Sequence, residues 1–176
     1  MLLCLLTACG GKETDTLQAA LDFRAELLGR GGCGFTAELS ADDGTRVWQY
    51  TLRCEADPDG SARLEILAPE SIAGISAELT GADGKLRFDG AYVDFGPLAD
   101  GELSPIAAPQ TLFSCWTEQY IASAGDGCVS YELGFGSKKL DVKTWFDEEN
   151  RPVKAEIYQQ GRLWMTATVT DFEFNG

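Results

Sequence analysis

Cys33-Gly34-Phe35-Thr36-Ala37-Glu38-Leu39-Ser40-Ala41-Asp42-Asp43-Gly44-Thr45-Arg46-Val47-Trp48-Gln49-Tyr50-Thr51-Leu52-Arg53-Cys54 alternates apolar and polar side chains on both sides of one turn. A period of two places all the apolar side chains of a strand on one face. Asp42-Asp43-Gly44 supplies the turn chemistry between the two runs. If Ala41 pairs with Arg46, Leu39 faces Trp48, Ala37 faces Tyr50 and Phe35 faces Leu52. A slip of one residue would mix the two faces, so the agreement supports an antiparallel hairpin. The same pairing sets Cys33 opposite Cys54. Directly opposed Cα atoms lie about 4.5–5.5 Å apart, a span that a disulfide bridges.

The alternation continues outward from this hairpin. Asp57-Pro58-Asp59-Gly60 turns the chain, and Ala62, Leu64 and Ile66 match Cys54, Leu52 and Tyr50. After an interruption from Pro69 to Gly74, Ile75, Ala77 and Leu79 face Leu86 and Phe88 across a Gly81–Gly84 turn, and Ala91, Val93 and Phe95 form a short strand. Residues 96–108 read as a loop. Three more strands are expected over Val129–Phe135, Lys138–Phe146 and Pro152–Tyr158, and a last one starts near Arg162. In that strand the apolar parity switches from Leu163, Met165, Ala167 and Val169 to Phe172 and Phe174, which calls for a bulge near Thr170 or Asp171.

Two segments have helical spacing instead. Thr14 to Leu28 carries Leu17, Ala20, Leu21 and Leu28 as an apolar stripe, with Gly29 as a stop. A second helix starts at Pro109 and carries Leu112, Phe113, Trp116 and Tyr120 to about Ser123. The fold class is therefore mostly β with two helices (α+β). A single antiparallel sheet of about ten strands, dry on one face, curls into a half-barrel that the N-terminal and the inserted helix cover.

Composition narrows the function. The chain has 176 residues, a formal net charge of −14 and no histidine. Its length suits one domain. Acidity argues against nucleic acid, which needs clustered Lys and Arg. The lack of histidine excludes His-based triads and removes the commonest zinc ligand. No apolar run is long enough for a transmembrane helix.

Leu6-Thr7-Ala8-Cys9 closes an apolar run and opens onto Gly10-Gly11-Lys12-Glu13. It resembles the lipobox of bacterial lipoproteins, in which the signal is cut before the cysteine. The resemblance implies lipid on Cys9, a signal peptide over residues 1–8, a lipidated tether over 9–13 and one domain over 14–176. Only eight residues precede Cys9 and none is basic, so the start of the signal is expected upstream of Met1. Export would place the protein on the outer face of the cell membrane, held there by the anchor. In that oxidising compartment the remaining cysteines are expected to pair. Register gives Cys33–Cys54, and elimination gives Cys115–Cys128.

The order of elements is similar to that of the LolA and LolB lipoprotein-carrier fold over roughly residues 14–174. It shares the N-terminal helix, the hairpin 34–54, the strand ending at Leu67-Ala68-Pro69, the interruption Glu70-Ser71-Ile72-Ala73-Gly74 and the later helix opening at Pro105–Pro109. The resemblance implies an apolar cavity for acyl chains on the concave face. Its lining would come from Leu39, Trp48, Tyr50, Leu52, Leu64, Ile66, Leu79, Phe88, Phe113 and Trp116. The same residues also suit ordinary packing between sheet and helices. In the carrier one arginine inside the barrel holds the helical lid closed. Here Arg53, Arg63 and Arg87 all point outward by parity.

Other motifs carry less. Asp57-x-Asp59-Gly60 reads as a hairpin turn, because a calcium loop needs further ligands. Trp145, Tyr158 and Trp164 fall on the outer face, either as an exposed patch for a partner or under the C-terminal tail. No nucleophile motif, P-loop or dinucleotide fingerprint occurs. The expected function is that of an envelope lipoprotein, not an enzyme, with no cofactor and no metal. Its half-barrel would bind a hydrophobic ligand such as an acyl chain, or a lipidated protein. The alternative is a cell-surface interaction module with no open lipid cavity.

Overall fold

The computed structural model describes residues 11–42, 44–80, 83–88, 90–95 and 105–176, with only the backbone for 11–13, 83, 86 and 92–95. Cys4, Cys9 and the signal lie outside the described residues. Helix α1 (Gly11–Gly29) begins three residues earlier than expected and so takes in part of the supposed tether. The strands β1 (Cys33–Asp42), β2 (Val47–Ala56), β3 (Ser61–Ala68), β4 (Ser76–Thr80), β5 (Asp83–Phe88) and β6 (Ala91–Phe95) follow. Helix α2 (Ala108–Thr117) precedes β7 (Ile121–Gly125), β8 (Cys128–Leu133), β9 (Leu140–Phe146), β10 (Pro152–Gln159) and β11 (Arg162–Phe174).

All eleven strands form one antiparallel sheet in the order β6-β5-β4-β3-β2-β1-β11-β10-β9-β8-β7. It is an open sheet whose two edges, β6 and β7, do not meet. The strand beyond the expected ten is β7. Periodicity carries α2 on to Ser123, but the helix stops at Thr117, where Glu118 and Gln119 both donate their backbone N–H to the Ser114 carbonyl. Tyr120, assigned to the helix stripe, is 78% exposed.

The first hairpin keeps the expected faces and shifts the register by two residues. Ala41 pairs with Trp48, Leu39 with Tyr50, Ala37 with Leu52, Phe35 with Cys54 and Cys33 with Ala56. Its end is held by the Asp42 side chain, which accepts from the Gly44 N–H at 2.7 Å, and by Arg162, which donates to the Asp42 carbonyl at 3.0 Å. The shift carries into β3, where Leu64 pairs with Cys54 and Ile66 with Leu52. The bulge in β11 is where parity required it. Thr36 pairs with Thr170 and Gly34 with Glu173, so Asp171 and Phe172 together oppose Phe35. Asp171 takes a φ of 50°, and Phe172 turns into the core. The α1–β1 junction needs glycine at residue 32. Its φ is +112°, and a Cβ there would run into the Ala56 carbonyl.

The register removes the direct opposition of Cys33 and Cys54 from which their pairing was expected. Cys33 sits opposite Ala56 and Cys54 opposite Phe35, and both are free, buried thiols. Cys115 is buried on the concave side in α2. Cys128 alternates with the buried Val129 and Tyr131, so it faces the convex side beside Trp145. The sheet therefore separates the second expected pair. Burial pushes the Cys33 thiol up to about 12, with Asp57 adding to the rise, and it raises Cys54 and Cys115 as well. Limited alkylation of the reduced, folded protein should label Cys128 first and spare Cys33, Cys54 and Cys115 until denaturant is added, as peptide mapping would show. A Cys115–Cys128 peptide from native protein would overturn this placement.

Candidate functional site: the concave face and its rim

The two helices meet on the concave side, and an arginine joins them. Arg24 of α1 donates from Nε to the Trp116 carbonyl at 2.8 Å, and from one terminal nitrogen to the carbonyls of Cys115 at 2.9 Å and Gln119 at 2.8 Å. A helix ends with unpaired carbonyls and a negative partial charge. The guanidinium answers both, because it is a planar fork of donors with a fixed positive charge. The inward arginine absent from the strands is thus supplied by a helix. Sequence reading missed it because a single arginine in an amphipathic helix looks like a solvated residue.

Beneath this clamp lies an aromatic cluster. The Phe23 ring is 5.8 Å from Trp116, 5.3 Å from Phe146 and 5.6 Å from Phe172, and Phe35 is 5.3 Å from Trp116. The Trp116 indole donates to the Thr144 hydroxyl at 3.1 Å, which satisfies two polar groups in the core. Helix α1 contributes Ala20, Phe23 and Leu27 to this packing. Leu17, Leu21 and Leu28, three of the four residues in the expected stripe, point outward instead. The helix is rotated so that Phe23 and Arg24 reach inward.

The ten expected ligand-binding residues divide into two groups. Leu39, Leu52, Leu64, Leu79 and Trp116 keep 2% or less of their surface, and Ile66 and Phe113 are buried too. A side chain facing a void wide enough for an alkyl chain would keep accessible surface, so these seven pack against their neighbours. Trp48 at 42% and Phe88 at 54% are exposed. Tyr50 is half-buried against the core, as are Ile72 and Ile75 of the connection after β3. Trp48 lies at the hairpin end of β2, opposite Ala41, and so at the other end of β1 from the α1 junction. The structure thus leaves Trp48 exposed at the hairpin end of β2, with the Arg46 guanidinium 5.8 Å over its ring, leaves Phe88 exposed at the end of β5, three strands away, and buries those seven.

A cleft of about 450 Å³ lies between the β2–β3 turn and α2. Phe113, Ala62 and Leu133 contribute apolar surface, and Asp59, Thr117 and Glu118 contribute polar groups. The Asp57–Gly60 segment is a turn, as expected. Gly60 donates to the Asp57 carbonyl at 3.0 Å, and the Ser61 N–H and hydroxyl donate to the Asp59 carboxylate at 2.9 and 2.7 Å. Those bonds hold the Asp59 carboxyl below its ordinary value.

On the convex side, Trp145, Tyr158 and Trp164 are half-buried. Each ring has a cation beside it: Lys154 at 4.6 Å from Trp145, Lys143 at 5.4 Å from Tyr158 and Arg162 at 5.5 Å from Trp164. Tyr158 donates to Glu156 at 2.6 Å, which pushes the phenol up to about 12. Burial alone would raise the Glu156 carboxyl, but bonds from Lys154 and Tyr158 prevail and lower it.

No family model matches the sequence, and no curated protein matches it. Solved structures do match. A DUF1329 family protein from Desulfovibrio piger has a TM-score of 0.54 at 9% identity, with 93% of each chain covered. A LolA superfamily protein from Nitrosomonas europaea has a TM-score of 0.47 at 14% identity, with 94% of each chain covered. A structure of the CwlD amidase from Clostridioides difficile in complex with the GerS lipoprotein has a TM-score of 0.44 at 16% identity, with 99% of each chain covered. The likeness shows the fold alone, an open antiparallel half-barrel like that of the DUF1329 family protein.

The clamp makes a direct prediction. Arg24→Met strips the donors from three carbonyls and should lower stability by about 2–3 kcal/mol, read from the urea midpoint. Arg24→Lys keeps the charge without the fork and should recover only part of the loss.

Proposed function

We propose that the chain is an envelope lipoprotein, held on the outer face of the cell membrane by lipid on Cys9, and that its half-barrel binds a hydrophobic ligand or a lipidated partner at the open rim. The observation that carries this reading is the exposure of Trp48 and Phe88 on a face where Leu39, Leu52, Leu64, Leu79 and Trp116 are buried. Exposed aromatic side chains beside partly buried aliphatic ones form the kind of apolar patch that marks a binding surface. The rim suits one end of an acyl chain or an apolar segment of a lipidated protein. A deep tunnel along Leu52, Leu64 and Leu79 is not supported, because those side chains are in contact with the core.

The reading is of a binding protein and not of an enzyme. Three of the four described cysteines are buried and held as neutral thiols, which are poor nucleophiles. A second reading, a surface interaction module, is favoured by the convex rings of Trp145, Tyr158 and Trp164. Such amphipathic rings with cations beside them are enriched at protein interfaces.

A fluorescent fatty-acid probe separates the two readings. Trp48→Ser and Phe88→Ser should each weaken probe binding about fivefold or more, a loss of about 1 kcal/mol, with little change in melting temperature because both side chains are exposed. Absence of probe binding to the parent protein at micromolar concentration would transfer the function to the convex face. For the anchor, intact mass of membrane-extracted protein should show acyl chains on Cys9, and Cys9→Ser should release the protein from the membrane fraction.

A further inference from the structure

Leu17, Leu21 and Leu28 of α1 keep 37%, 41% and 46% of their surface. At about 100° per residue the three leucines fall on one stripe, with the exposed Ala25 continuing it. Arg24 lies in the same row, but its guanidinium is turned onto the Cys115, Trp116 and Gln119 carbonyls, and Asp15, Asp22 and Glu26 lie on a different flank of the helix. A single exposed leucine requires no explanation. A row of three along a helix that already buries another face in the core does.

We propose that this stripe rests on the lipid bilayer that carries the anchor, so that α1 lies along the membrane surface. The inference builds on the reading of Cys9 as the lipidated residue. Helix α1 begins at Gly11, two residues after Cys9. Two extended residues reach about 7 Å, about the depth of one headgroup layer, since a bilayer of about 40–45 Å has a hydrocarbon core of about 30 Å. The start of the helix therefore cannot leave the headgroup region. From Leu17 to Leu28 the stripe runs about 16 Å at 1.5 Å per residue, and only a helix lying flat brings all three leucines to the interface. A helix of a second copy could also cover the stripe, but the tether delivers the bilayer to it and nothing delivers the other. The chemistry selects the lipid as well. Surface helices that seek anionic lipid carry Lys and Arg on their polar face. Here the exposed polar flank carries Asp15, Asp22 and Glu26 in a chain of net charge −14, so the stripe fits a zwitterionic surface and anionic lipid repels it.

The test uses the lipidated protein on phosphatidylcholine vesicles with brominated acyl chains, which quench tryptophan inside the bilayer. Leu21→Trp adds one indole on the stripe, and Asp22→Trp adds one on the acidic flank. The indole at position 21 should lose most of its added emission, and the indole at position 22 should keep it. Replacing part of the phosphatidylcholine with phosphatidylglycerol should weaken the quenching at position 21, and salt should restore it. Equal quenching at both positions, or none at 21, overturns the proposal, and so does a self-association that Leu21→Gln abolishes while quenching is absent. Acyl mass on Cys9 is read separately. If it is missing, a maleimide lipid attached to the Cys9 thiol of a Cys4→Ser, Cys128→Ser variant supplies the tether, and the same comparison of positions 21 and 22 still decides the stripe.

Discussion

The Arg24 guanidinium at the end of α2 is the contact on which the concave side depends. It gives three carbonyls a charged partner at a point where the helix has no further turn to supply N–H donors. It ties α1 to α2, while Phe23 and Leu27, on the neighbouring face of α1, enter the core. Leu17, Leu21 and Leu28 stay exposed along the row that Arg24 itself occupies. The same contact helps decide where α2 stops. Once Gln119 has given its carbonyl to Arg24, the chain leaves the helix and becomes β7, the strand that closes one side of the sheet.

The faces of the strands were legible in the sequence and the register was not. Alternation tells inside from outside, and Phe35, Ala37, Leu39, Leu52, Leu64 and Leu79 all point where parity sends them. A shift of two residues leaves every face unchanged, so hydrophobic matching cannot detect it. The shift was set by contacts no pattern records: the Asp42 side chain on the Gly44 N–H, and Arg162 reaching Asp42 from the far end of β11. The opposition of Cys33 and Cys54 went with the register, since it held for one of two equally apolar alignments. The bulge in β11 was legible because it changes parity, which a register shift of two does not.

The candidate site was legible in part for the same reason. Parity put Trp48, Tyr50 and Phe88 on the side of Leu52 and Leu64, but it carries no information on how far the helices extend over that side. Exposure depends on coverage. Helix α1 lies against β7 and β8, and α2 reaches across to β2. Trp48 at the hairpin end of β2 and Phe88 at the end of β5 keep inward parity and remain in contact with solvent. Arg24 escaped notice because its role is tertiary. Its three acceptors lie more than ninety residues away in sequence.

The result is a half-barrel with an uneven division of labour. Where the helices lie, the sheet behaves as one wall of an aromatic core around Trp116 and its bond to Thr144, bordered by the cleft between α2 and the β2–β3 turn. Where they do not, the same wall presents apolar rings to solvent, at a cost that a free monomer gains nothing by bearing. An open sheet cannot remove that exposure by closing on itself, because β6 and β7 stand at opposite ends of the strand order. Part of the exposure at Trp48 is answered locally, by the Arg46 guanidinium 5.8 Å over its ring.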